Sequence, residues 1–130
     1  MKKALLLMMM AWSLTTTAQA RIGSTLGEIF NEFSDNNPSY RTLDDGRVTM
    51  RVLTDRATID YVFNDEQNCE ATLILPHRQG DLNYYVETYN SRYVIISSRE
   101  WRMYSGDGSI AKITMETYQD KTFFMWTSIE

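Results

Sequence analysis

The chain has 130 residues, 43% of them hydrophobic and 23% charged, with a formal net charge of −4. That balance excludes a disordered or fibrous protein and leaves room for one domain. A single cysteine and a single histidine exclude an internal disulfide and a zinc centre, which needs several matched ligands.

Residues 1–20 have the layout of a secretory signal peptide. Lys2 and Lys3 form a positive start, residues 4–14 are an apolar run, and Ala18-Gln19-Ala20 fits the small-x-small cleavage rule. The run is short for a membrane span. No cysteine stands at the cleavage region to carry a lipid, and no twin-arginine pair precedes the run. The expectation is therefore a cleaved leader, residues 1–20, and one exported domain, residues 21–130, in the periplasm or outside the cell. The mature chain would hold 11 basic and 17 acidic residues. Such an acidic balance disfavours nucleic acid and, after cleavage, an anionic membrane surface as partners. Nine of the 11 basic residues are arginine, the better residue for bidentate contacts.

Residues 24–34 read as a helix, with Leu26, Ile29, Phe30 and Phe33 on one stripe. Thr25 followed by Glu28 fits a capping box. Asp35-Asn36-Asn37-Pro38 ends the helix, because the residue before proline is pushed out of the helical region. Three strands are expected next. Val48, Met50 and Val52 alternate with Arg47, Thr49 and Arg51; Ile59, Tyr61 and Phe63 alternate with Thr58, Asp60 and Val62. Thr54-Asp55-Arg56 suits a hairpin loop between them, and residues 64–68 form a polar break. Cys69, Ala71, Leu73 and Leu75 then share one face by parity, with Glu70 and Thr72 on the other, and Pro76 closes the strand.

A second helix is expected to start near Asp81 as its N-cap, with Leu82, Tyr85, Val86 and Tyr89 on one stripe and a stop at Asn90-Ser91. Strands follow again. Residues 93–96 are β-branched and aromatic; Trp101 and Met103 alternate with Arg102 and Tyr104; Ala111, Ile113 and Met115 alternate with Lys112, Thr114 and Glu116; residues 122–128 are a final aromatic strand. Ser98 also suits the cap of a helical turn. Ser105-Gly106-Asp107-Gly108 and Gln119-Asp120 are turns.

The pattern predicts an α+β fold of two α-β-β-β units, forming one antiparallel sheet with both helices on one face. A helix followed by an antiparallel meander, given twice, resembles the TATA-binding-protein-like architecture. It is also similar to the small exported β-lactamase-inhibitory proteins, and residues 73–101 are similar to small exported bacterial proteins of unknown function. The likeness covers nearly all of the mature chain and rests on element order. It implies the sheet fold and assigns no site residue.

His77 is the sole candidate base, and Cys69 lies one strand-length away. Parity points Cys69 into the core, and eight residues of extended chain span roughly 25 Å, so a structural cysteine and a surface histidine are expected. Asp44-Asp45 and Asn64-Asp65-Glu66 are oxygen-rich but lack the ligand alternation of a calcium loop, and read as turns. No metal or other cofactor is expected. Asp60, Glu70 and Glu116 are the carboxylates placed for a hydrolase, the least favoured reading, since a thin two-layer fold offers little depth for a pocket. The sequence favours a non-enzymatic binding or inhibitory module whose partner is another exported or cell-envelope protein. Its contacts would be Arg47, Arg51, Arg102 and Tyr104 on an outer sheet face of Tyr, Trp and Arg composition. The alternative is a carrier holding a small apolar ligand between helices and sheet.

Overall fold

The computed structural model describes residues 21–129; the leader expected at residues 1–20 lies outside them. Helix α1 (Leu26–Phe33) opens on the predicted capping box. The Thr25 hydroxyl accepts from Glu28 N at 3.2 Å, and the Glu28 carboxylate accepts from Thr25 N at 2.9 Å. A 3₁₀ turn (Ser34–Asn36) follows, and Asn37, in the left-handed region at φ 48°, redirects the chain before Pro38.

Four strands come next: β1 (Ser39–Thr42), β2 (Val48–Leu53), β3 (Ala57–Phe63) and β4 (Cys69–Pro76). Helix α2 (Gln79–Arg92) leads to four more: β5 (Val94–Ser97), β6 (Glu100–Tyr104), β7 (Ile110–Tyr118) and β8 (Lys121–Ile129). All eight lie in one antiparallel sheet in the order β1-β2-β3-β4-β8-β7-β6-β5. The fold is α+β and mostly sheet. Each helix precedes four strands rather than the expected three. β1 escapes the alternation argument because its four residues are all exposed. Helix α2 starts earlier than expected: Arg78 is its N-cap, and Asp81 sits inside the first turn.

Cross-strand register defines two faces. Met50, Tyr61, Thr72, Trp126, Ile113 and Trp101 are successive partners across six strands, and all are 2% exposed or less. Both helices cover this face. Phe33 of α1 lies 5.8 Å from the Tyr61 ring, and Tyr89 of α2 meets Trp101, Phe124 and Trp126 at 5.1–5.7 Å. Trp101, Tyr61, Tyr85, Phe63 and Phe124 fill the layer between helices and sheet.

One parity expectation fails. Cys69 points into the core as foreseen, but Ala71, Leu73 and Leu75 do not share its face; Thr72 and Ile74 are the buried pair at 0% exposure. The register shifts where Phe63 partners Cys69 while Val62 partners Ala71, leaving Glu70 as an extra residue. A bulge of one residue moves every later side chain to the opposite face.

Candidate functional site

The consequence of that bulge is an apolar centre on the face the helices do not cover. Three cross-strand rows describe it. Arg51, Asp60, Leu73, Met125, Thr114 and Glu100 form one; Thr49, Val62, Ala71, Thr127, Lys112 and Arg102 form the next; the third is in two pieces, Leu53, Thr58 and Leu75 on β2–β4 and Phe123 with Glu116 on β8 and β7, one residue beyond the last β4–β8 pair, Ile74 with Phe124. The first and third rows are apolar at β4 and β8, the third also carrying Leu53 at its β2 end; the second is apolar at β3 and β4, with Val62 and Ala71, and polar from Thr127 on β8 onward. Leu73, Leu75, Phe123 and Met125 are half-buried by their neighbours alone, and Leu53 is 59% exposed.

The predicted contact residues lie on this outer side but do not converge. Arg47 precedes β2 and Arg51 sits on it; Arg102 and Tyr104 sit on β6. Five inter-strand steps separate the two pairs, roughly 24 Å. They flank the apolar centre. Arg51 holds both Asp60 carboxylate oxygens, donating from Nε at 2.8 Å and from Nη2 at 2.9 Å. Arg47 bridges Asp45 and Glu70 at 2.7 and 2.8 Å, and Arg102 reaches Glu100 at 3.3 Å. Tyr104 is 54% exposed at the strand end. The face departs from the expected composition: Trp101 and Trp126 are both in the core, and the centre is aliphatic, with Phe123, Tyr104 and Tyr118 its aromatic members.

One residue was missed. Lys112 on β7 is the direct cross-strand partner of Arg102. Like charges directly opposite destabilise a sheet. Arg102 has Glu100 beside it, whereas among the described residues Lys112 forms no ion pair. Its place in the alternation of β7 was legible, but the register that sets it against Arg102 was not.

The other candidate groups are accounted for by structure. The Cys69 thiol is buried, donates toward Ala71 O at 3.4 Å, and has its pKa raised by burial. His77 is at the far end of β4, exposed, with Nε2 3.0 Å from Thr58 Oγ1 and Nδ1 3.3 Å from Asp55 O. It lines an open cleft of about 450 Å³ with Arg78, Leu82 and Lys121. Beside that cleft, Asp81 is 4% exposed and accepts from Arg78 Nε at 3.0 Å and Arg56 Nη1 at 3.3 Å. The Arg78 guanidinium, with Arg56 behind it, holds the Asp81 carboxyl below the usual aspartate range. Asp60 and Glu70 are each ion-paired to arginine, and Glu116 is exposed on β7. Asp45 and Asn64 close turns: Asp45 accepts from Arg47 N, and Asn64 Oδ1 from the amides of Glu66 and Asn68. Among the described residues no group of three or more His, Cys, Asp or Glu is placed to hold a metal ion.

Fold and face together define an α+β protein with two helices on one side of an eight-stranded antiparallel sheet and an uncovered, charge-flanked apolar surface on the other. No family model, no curated protein and no solved structure matches the chain. Among the described residues no helix is long and apolar enough to cross a membrane.

Proposed function

We propose that the chain is an exported, non-enzymatic binding or inhibitory module that engages a protein partner through the outer sheet face. In this reading the sheet is two helix-plus-four-strand units joined along β4 and β8, in the manner of the β-lactamase-inhibitory architecture it resembles. The apolar centre carries the argument. Leu73, Leu75, Phe123 and Met125 sit side by side over the joint, with no element of the described chain above them. A cluster of this kind ringed by charge has the anatomy of a protein interface, in which the apolar centre supplies affinity and the rim supplies orientation. Arg51 with Asp60 forms one rim, Arg102 with Lys112 the other. Lys112, which has no ion-pair partner among the described residues, favours a partner that brings a carboxylate to that side.

The test is affinity capture from the exported fraction with the mature chain, followed by binding measurements on the protein recovered. Leu73→Glu with Met125→Glu changes two half-exposed side chains, leaves the circular dichroism spectrum intact, and abolishes binding. Charge reversal at Arg51 and Arg102 weakens it. Unchanged binding by both double variants would show that the partner uses another surface.

A further inference from the structure

Strands β4 and β8 pair along Ala71–Ile74, and Ile74 with Phe124 is the last couple. Beyond it they part: β4 runs on to Pro76 against β3, and β8 runs back to Lys121 against β7. Pro76 has no N–H to give a neighbouring strand. The wedge left between them is the cleft of about 450 Å³ that has His77 in its wall, within the range of roughly 300–1,000 Å³ of small-molecule sites.

The lining combines an apolar surface with cations. Leu75 and Pro76 of β4 and Leu82 of α2 supply the apolar part, while Arg78 and Lys121 reach the cleft from different elements. Arg78 is held by Asp81, which is 4% exposed and accepts from its Nε at 3.0 Å and from Arg56 Nη1 at 3.3 Å. Two guanidinium groups thus share one carboxylate, which leaves a positive charge over. The two Nη groups of Arg78 form no hydrogen bond among the described residues, and that edge of a guanidinium grips a carboxylate with two parallel bonds. Lys121 forms no ion pair among the described residues, and the acid in the lining is Asp120. Cleft and backing therefore set Arg56, Arg78 and Lys121 against Asp81 and Asp120, a positive balance in a chain whose overall balance is negative. His77 is wall rather than ligand contact, since its ring nitrogens are engaged by Thr58 Oγ1 and Asp55 O.

We infer that this cleft binds a small organic carboxylate with a short apolar body. The carboxylate would sit on the Nη edge of Arg78 in the field of the Lys121 ammonium, and the apolar body would cover Leu75, Pro76 and Leu82. An inorganic anion makes the first contact and not the second; an alcohol of the same body makes the second and not the first. The inference does not rest on the outer-face reading, since the cleft shares only Leu75 with the apolar centre.

Hexanoate, hexan-1-ol, hexylammonium and inorganic phosphate decide it, each titrated into the mature chain and followed by its backbone amide resonances. Hexanoate gives saturable shifts at residues 75–82 and 121–122 and binds about tenfold or more tightly than the other three. Arg78→Gln, which removes the gripping edge, and Lys121→Glu each weaken hexanoate binding severalfold. Lys121 is exposed, so its variant keeps the amide spectrum of the folded chain and the loss is not one of folding. Arg41→Glu, the same charge reversal on the edge strand β1, leaves binding unchanged. No saturable shift with hexanoate, shifts elsewhere than the cleft, equally tight binding of any of the other three compounds, full binding by Lys121→Glu, or an equal loss in Arg41→Glu would overturn the inference.

Discussion

Tyr89 occupies the centre of the buried layer, with the rings of Tyr85, Tyr93, Trp101, Phe124 and Trp126 all within 6.0 Å. Edge-on contacts to Trp101, Phe124 and Trp126 set the positive rim of one ring against the negative face of another. Its hydroxyl accepts from Trp126 Nε1 at 3.2 Å. Burial pushes the Tyr89 phenol well above its ordinary pKa, so it stays neutral. The second tryptophan of the layer is satisfied differently: Trp101 Nε1 donates to Asn90 Oδ1 at 2.8 Å. Tyr89→Phe therefore keeps the packing and strips the partner from an indole N–H that is 2% exposed with its residue. The expected loss is about 1–3 kcal/mol. Tyr89→Ala adds a cavity and costs about 3–5 kcal/mol. Urea unfolding of both variants checks the pair, and a neutral Tyr89→Phe would mean that Trp126 finds another acceptor.

At the scale of elements, β4 is where sequence and structure part. Alternation identified β4 and placed Cys69, but it continued through Glu70 as though no residue were extra. Periodicity reads a strand one chain at a time, whereas a bulge exists only relative to the partner strand. The result reversed the faces of Leu73 and Ile74 and hid the apolar centre of the outer face. On β8 Phe123 and Phe124 are adjacent, so strand alternation sends one of them out of the core, and only the register decides that it is Phe123. β1 was hidden for another reason, since a short exposed edge strand carries no burial pattern to read. The capping box, the α2 stripe and the Gln119-Asp120 turn were legible because they are local; on α1 the stripe is right for Leu26, Ile29 and Phe33, whereas Phe30 is 40% exposed and stacks on Tyr40 of β1 at 6.4 Å instead of entering the core. That turn has φ of 50° and 64° at its two residues, as a two-residue hairpin requires. Of the candidate contacts, the outward parity of Arg51 and Arg102 was legible and their separation was not, because strand order is a property of the whole sheet. Adjacent alanine substitutions test the reversed face directly. Ile74→Ala, at a fully buried position, costs about 2–5 kcal/mol. Leu75→Ala, half-buried on the outer side, costs less than about 1.5 kcal/mol. The opposite ranking in urea melts would restore the simple alternation.

For the whole molecule, the question is whether the strand sets on either side of the β4–β8 joint stand alone. β8 pairs with β4 along Ala71–Ile74 and with β7 along its full length. It also contributes Phe124 and Trp126, which lie against Tyr89 of α2 and beside Ile74 and Thr72 of β4. Without β8, β4 becomes an open edge and its buried face loses the aromatic layer beside it. Helix α1 offers little compensation, since Ile29 is its one fully buried residue. A fragment of residues 21–77 would also be near the size at which a lone core buries only about 60% of the surface its unfolded chain exposes. With one cysteine in the chain, no internal disulfide can assist. The two strand sets should therefore unfold together. Urea unfolding of residues 21–130 is expected to give one transition, coincident by tryptophan fluorescence and far-ultraviolet circular dichroism. Because both tryptophans of this span lie after α2, the circular dichroism signal from β1–β4 is the independent probe. The fragment 21–77 should show no slowly exchanging amides. Two separate transitions, or protected amides in the fragment, would mean that the joint between β4 and β8 is an interface between independently stable halves rather than the middle of a single cooperative sheet.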